Sequence, residues 1–114
     1  MKDSVRYAPK VSVVILNWNG GDYLVRCVKS VLESVYPKDL FEVIVVDNGS
    51  IDGSARLVKR MYPQVKLIEN KRNLGFCVGN NIGIKRASGD LIILLNNLAR
   101  GLRFKSRFTF SANF

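Results

Sequence analysis

The sequence contains no histidine. That absence removes Ser-His-Asp and Cys-His nucleophilic chemistry, because both need an imidazole as the base. Cysteine is scarce: Cys27 and Cys77 are the two in 114 residues. They lie too far apart in sequence for a local zinc knuckle, and no imidazole is present to complete one. Both are expected as reduced cytosolic thiols, since the first residues carry no secretory signal. Cys27 falls on an apolar helical stripe and reads as core, Cys77 lies near a polar loop, and neither is assigned a reactive role. Long apolar runs are also missing. The longest, Leu91 to Leu95, is far too short to span a bilayer. Met1 to Lys10 has no apolar h-region, so no signal peptide is expected. There is no Gly-Lys-Ser/Thr and no GxGxxG, which sets aside the P-loop and dinucleotide fingerprints. No repeat or low-complexity segment is visible.

Acidic residues are few, nine against eighteen Lys and Arg, for a net charge of +9. The excess is uneven. Residues 98–114 hold four bases and no acid, and residues 1–97 hold fourteen bases against nine acids. The remaining +5 suits a phosphate-bearing ligand or an anionic membrane surface, and equally a solvated basic face; it does not demand nucleic acid. An apolar fraction of 47% is enough for one small globular core and too high for disorder.

A strand–helix alternation runs through residues 11–97. Val11 to Leu16 is a β-branched run that opens into Asn17-Trp18-Asn19-Gly20-Gly21. Leu24, Cys27, Val28, Val31, Leu32 and Val35 then recur at helical spacing, and Pro37 ends that helix. Phe41 to Val46 is nearly continuous in apolar residues, as in strands buried on both faces of a parallel sheet. A second helix runs through Leu57, Val58 and Met61 and stops before Pro63, followed by a short strand from Val65 to Ile68. A third helix covers about Phe76 to Ala87, bearing Ile82 and Ile84. Leu91 to Leu95 reads as a fourth, buried strand. The fold class is therefore α/β, a mostly parallel Rossmann-like sheet with flanking helices. Ligands in such folds bind beyond the carboxyl ends of the strands. The polar clusters Asn17 to Gly21, Asp47 to Gly53 and Asn96-Asn97 fall at those ends, with the Asn70 to Gly75 loop beside them.

The loops allow more than one role for each residue. Asp47 can accept hydrogen bonds from a base N–H or a ribose hydroxyl, or it can order its own turn and cap the next helix. Asp52 reads as a helix cap. Gly75, Gly79 and Gly83 recur every four residues, which suits either backbone approach to an anion or close packing of one helix face on the sheet. Asn73, Asn80 and Asn81 are poor helix formers unless their amides find partners. Lys71 and Arg72 can neutralise a diphosphate or stand in solvent. A hard-ion site built from carboxylates and a ligand's phosphates is the metal option left open.

Taken in order, Val11-Ser12-Val13-Val14-Ile15-Leu16-Asn17-Trp18-Asn19, Val45-Val46-Asp47-Asn48-Gly49-Ser50-Ile51-Asp52-Gly53-Ser54, Asn73 to Ile84, Ala87-Ser88-Gly89-Asp90 and Leu94-Leu95-Asn96-Asn97 resemble the start of a family 2 glycosyltransferase with a GT-A fold. The resemblance covers about residues 10–97, and its Asn-Trp-Asn and Asn-Asn forms are most similar to rhamnosyltransferase-type members of bacterial polysaccharide assembly. It implies a nucleotide-sugar donor and inverting transfer to the hydroxyl of a glycan or lipid-linked acceptor. It also implies a cytoplasmic location, extending to peripheral association with the inner face of the membrane. By resemblance Asn17 and Asn19 lie against the nucleotide, Asp47 contacts the base, and Asn73, Gly75, Asn80 and Asn81 belong to the stretch lining ribose and diphosphate. Asn96 and the residue two later match the family's Asp-x-Asp-like metal motif, read in this subgroup as Asn-x-Asp, which would hold Mg²⁺ or Mn²⁺.

The chain departs from that pattern at Leu98, where an aspartate is expected and leucine offers no oxygen, so no intact metal site is expected. The implied second half, with the acceptor site and the catalytic base, has no counterpart in residues 98–114. The break reads as a frameshifted or truncated frame, with residues 1–97 as a nucleotide-sugar-binding half, a separate basic aromatic tail, and weak or absent turnover. Such a half is expected to leave apolar faces uncovered. The catalytic base itself is unassigned. The tail interleaves Arg100, Arg103, Lys105 and Arg107 with Phe104, Phe108, Phe110 and Phe114. That pattern supports an alternative, a non-catalytic nucleotide-binding fragment or a module for anionic surfaces or single-stranded nucleic acid.

Overall fold

The computed structural model describes residues 8–97. Leu98 and the tail lie outside the described residues. Four strands and three main helices alternate: β1 (Val11–Asn17), α1 (Asp22–Leu32), β2 (Phe41–Asp47), α2 (Ser54–Met61), β3 (Lys66–Glu69), α3 (Phe76–Arg86) and β4 (Leu91–Asn96). A single 3-10 turn, Lys38–Leu40, leads into β2. The sheet is wholly parallel in the order β3-β2-β1-β4. The α/β, Rossmann-like expectation holds.

Strand alternation sorts the apolar residues to two faces. On one, Val11, Val13, Ile15, Val43, Val45 and Leu95 meet Leu24, Val28 and Val31 of α1 and Val58 of α2. On the other, Val14, Ile44 and Val46 meet Leu16, Ile68, Ile82 and Ala87. There α3 lies close because Gly79 and Gly83 face the sheet. A Cβ on Gly79 would come within 2.6 Å of Leu16, and one on Gly83 would collide with Val14. Of the two roles open to these glycines, close packing is the one visible in the fold. The chain crosses from β3 past β2 and β1 to β4, so the strand order reverses between β1 and β4. That is the switch point at which open α/β sheets form a crevice.

Two expectations need correction. Helix α1 ends at Leu32 rather than running to Pro37, and Val35 is 79% exposed. The residue before a proline is driven out of the helical region, and the chain has already turned by then. Strand β4 was expected to be buried, yet Leu91, Ile92 and Leu94 are exposed and Leu95 is its one fully buried apolar residue. An apolar run is satisfied only where a layer covers it, and α3 packs on β1 and β2. Among the described residues β4 thus presents exposed apolar side chains.

A clasp holds the end of the sheet away from the polar loops. The Glu42 carboxylate accepts hydrogen bonds from Lys66 Nζ at 2.6 Å, Ser88 N at 2.7 Å and Ser88 Oγ at 2.9 Å, and from Ser12 Oγ. Ser12 Oγ also accepts from Gly89 N at 2.8 Å. Burial pushes this carboxyl up, but the bonds from Lys66, Ser12 and Ser88 outweigh it and hold its pKa at about 2. One carboxylate so ties β1, β2, β3 and the α3–β4 turn together.

Candidate functional site

The first turn of the site is built from the ends of three neighbouring strands. Asn17 pairs across the sheet with Asp47, and Leu16 pairs with Asn96 on the other side. Residues 17, 47 and 97 therefore meet at one level. Asn17 is fully buried, Asp47 is 4% exposed and Asn97 is 6% exposed. Asn17 Nδ2 donates to Asp47 Oδ1 at 2.9 Å and to Ser54 Oγ at 2.9 Å. Asn97 Nδ2 donates to Asn17 Oδ1 at 2.6 Å.

Asp47 also orders the turn that follows it. Ser50 Oγ donates to Oδ1 at 2.6 Å and Ser50 N to Oδ2 at 3.0 Å. The turn can close because Gly49 has φ 78°, in the left-handed region, and a Cβ there would lie 2.7 Å from the Arg72 backbone. Asn19, itself at φ 49°, binds this turn from the β1 side. Its N–H donates to Ser50 Oγ at 2.7 Å, and its Oδ1 accepts from Ile51 N at 2.9 Å. Asp52 accepts from Ser54 N and Oγ at the start of α2 and from Gly21 N at 3.0 Å. Burial opposes its charge, but those bonds prevail and hold its carboxyl below the usual range. The N-cap of α2 is Gly53, so Asp52 is not the cap the sequence suggests but bonds Ser54 from one residue outside it.

The third loop is fastened through Asn48. Its Nδ2 donates to Gly75 O at 3.1 Å, and its Oδ1 accepts from Asn70 Nδ2 at 2.9 Å. Asn73 Oδ1 accepts from Gly75 N at 2.8 Å, which shapes the entry to α3. Lys71 and Arg72 are exposed on this loop. Asn80 is 5% exposed and donates to Phe76 O, four residues earlier in its own helix, at 3.0 Å. Asn81 is exposed on the same helix. Asn96 is exposed at the end of β4. Trp18 stands 57% exposed between Asn17 and Asn19.

The structure thus brings Asn17, Asn19, Asp47, Asn73, Gly75 and Asn96 to one end of the sheet, while Asn80 is bonded within α3. Ser50, Ser54, Asn48 and Asn97 fall in or beside the polar clusters, but the sequence assigns them no individual role. Each is a small polar residue whose partner lies on another strand or loop, and only the sheet register reveals it. A cavity of about 230 Å³ opens beside Asp47, lined also by Ser50, Ile51, Gly53, Ala55, Arg56 and Glu69. Arg56 and Glu69 pair at 3.2 Å at its edge.

Among the described residues no group of three or more Cys, Asp or Glu side chains comes together as a metal site. Asn96 brings one neutral amide oxygen, and Asp47 Oδ1 already accepts from Asn17 and Ser50. This donor set does not fit a self-standing divalent-ion centre. Among the same residues no helix is long and apolar enough to cross a membrane.

Known proteins resemble this chain in sequence and in fold. The glycosyltransferase AglE of Haloferax volcanii is 32% identical over 91 residues, which is 77% of this chain and 30% of that protein. The glycosyltransferase GlyG of Streptococcus pneumoniae is 32% identical over 90 residues, covering 76% of this chain and 29% of that one. Among solved structures, the mannosyltransferase PcManGT of Pyrobaculum calidifontis, in complex with GDP-Man and Mn²⁺, superposes with a TM-score of 0.72 at 26% identity. The match spans 80% of this chain and 28% of that one. S. aureus TarS 1-349 in complex with UDP-GlcNAc gives 0.71 at 26% identity, over 77% and 26% of the two chains. The chain therefore spans a little under a third of the length of these relatives. The model of glycosyl transferase family 2 matches residues 12–97, from the second residue of β1 to the buried Asn97, and it is to this family that the chain belongs.

Proposed function

We propose that residues 1–97 form the nucleotide-sugar-binding part of a glycosyltransferase that moves a sugar to an acceptor hydroxyl with inversion, and that residues 98–114 are a separate basic tail. The observation that carries this reading is the convergence of Asn19, Asp47, Asn73, Gly75 and Asn96 at the carboxyl ends of a parallel sheet. A nucleoside diphosphate suits that surface. Asp47 Oδ2 takes one N–H from Ser50, which leaves acceptor capacity for a base N–H beside the cavity. Trp18 offers an exposed ring for stacking. Lys71 and Arg72, exposed on the third loop, supply positive charge for the diphosphate, and Asn81 flanks it from α3. Asn17 holds Asp47 from within the sheet.

Mg²⁺ or Mn²⁺ is the family's expected cofactor, but Leu98 brings no oxygen and the described donors are few. Nucleotide binding by this chain should therefore depend weakly on metal. Turnover by these 114 residues acting alone is expected to be weak for the same reason. The acceptor, a glycan or lipid-linked hydroxyl, and work at the cytoplasmic face of a membrane belong to this proposal.

Calorimetry with UDP, GDP, UDP-GlcNAc and GDP-Man, with and without Mn²⁺, tests it. Saturable binding of at least one nucleotide, little changed by Mn²⁺, is expected. No binding at millimolar ligand by a chain shown to be folded would overturn it.

A further inference from the structure

We infer that Asn17 is a positioning residue: a saturated, one-way hydrogen-bond relay that sets the Asp47 carboxylate and the end of β4 in one mutual geometry without touching ligand. Asn17 has two N–H donors and two acceptor lone pairs. Its donors go to Asp47 Oδ1 and Ser54 Oγ, each at 2.9 Å, with Ser50 Oγ further off at 3.3 Å. Its acceptor sites take Gly20 N at 3.2 Å and Asn97 Nδ2 at 2.6 Å. Every polar capacity is used, and the residue is fully buried. Nothing of it remains for a ligand.

The direction of the relay follows from partners that cannot reverse. Asp47 Oδ1 accepts from both Asn17 Nδ2 and Ser50 Oγ, and the Gly20 N–H only donates. Together they permit one orientation of the Asn17 amide, with nitrogen toward Asp47 and oxygen toward Gly20. That orientation in turn obliges Asn97 to present its nitrogen. The acceptor Asp47 presents at the end of β2 therefore dictates which way the Asn97 amide points at the end of β4, across the switch point of the sheet.

Gly20 supplies an independent mark of the same device. A Cβ at position 20 would collide with both Asn97 Nδ2 and Asn17 Oδ1. The backbone of the first loop closes directly over the Asn17–Asn97 bond, and a side chain there would break it.

The test needs no ligand in its first arm. In the full chain, side-chain amide resonances of Asn97 are followed by NMR after Asp47→Ala. They shift if the relay operates, and the same substitution leaves them unmoved in an Asn17→Leu background. If either variant fails to fold, Gly20→Ala is read at the Ser50 amide, which donates to Asp47 on the far side of Asn17. A shift there supports the relay. Unmoved Asn97 resonances after Asp47→Ala, or an unmoved Ser50 amide after Gly20→Ala, overturn it. The second arm rests on the proposed nucleotide site. Gly20→Ala should weaken UDP or GDP binding about tenfold, the scale of one lost hydrogen bond. No nuclear Overhauser contact should join the Asn17 amide to the bound nucleotide. Such a contact would overturn the positioning role. Failure of both nucleotides to bind would instead count against the proposed function, and the first arm would still decide the relay.

Discussion

Protonating Glu42 should loosen the whole sheet. Its side chain is 9% exposed and gathers bonds from Lys66, Ser12 and Ser88, which lie on three different parts of the chain. Its pKa falls from an ordinary 4.5 to about 2. At about 1.4 kcal/mol per tenfold change in acidity, that drop is worth at most about 3 kcal/mol. Lys66 is 57% exposed, so solvent screens part of the attraction, and about 2 kcal/mol is the working figure. Because the folded pKa is the lower one, the contribution is complete above about pH 4.5 and is lost as pH falls toward 2. Glu42→Gln should therefore lower stability by about 2 kcal/mol at pH 6, and the gap from the parent chain should narrow steadily toward pH 3. Urea unfolding followed by circular dichroism at several pH values between 6 and 3 measures this. A gap that is absent at pH 6, or that stays constant down to pH 3, refutes the reasoning.

Three further outcomes follow from the packing. Gly83→Ala drives a methyl into Val14 and Val46 and should cost about 1–3 kcal/mol in urea unfolding. Burial pushes the Cys27 thiol up to about 11 and Cys77 is exposed, so a thiol reagent at pH 8 should modify Cys77 in the native protein and Cys27 only on unfolding. Ile92 and Leu94 are exposed on an apolar edge strand that carries no charge, so the chain should self-associate as concentration rises, and Leu94→Lys should reduce that association in sedimentation velocity.

Much of this arrangement is legible in the residues. The β-branched run at Val11 to Leu16 and the near-continuous Phe41 to Val46 announce buried parallel strands, and the Asn and Asp clusters after them mark the end where ligands gather. The pattern carries less about what each polar side chain bonds. Asn17 and Asn97 stand eighty residues apart in sequence and meet only because β4 pairs with β1 rather than with β3. The Asn80 amide donates to the Phe76 carbonyl of its own helix, a bond its place in the sequence does not announce. Leu91 to Leu95 has the composition of a central strand, yet its burial depends on which layers are present, and hydropathy does not encode that. Glu42 reads as an ordinary strand residue because the groups that depress its acidity come from three distant segments.

The central claim is that a nucleoside diphosphate binds at the carboxyl ends of β1, β2 and β4. Backbone NMR of the full chain titrated with UDP and GDP tests it most directly. Shifts confined to residues 17–21, 47–54, 70–76, 81 and 96–97, and abolished by Asp47→Ala in a chain that remains folded, are predicted. Shifts centred on Ser12, Glu42 and Ser88 at the opposite end of the sheet, or no shifts with either nucleotide, would contradict it.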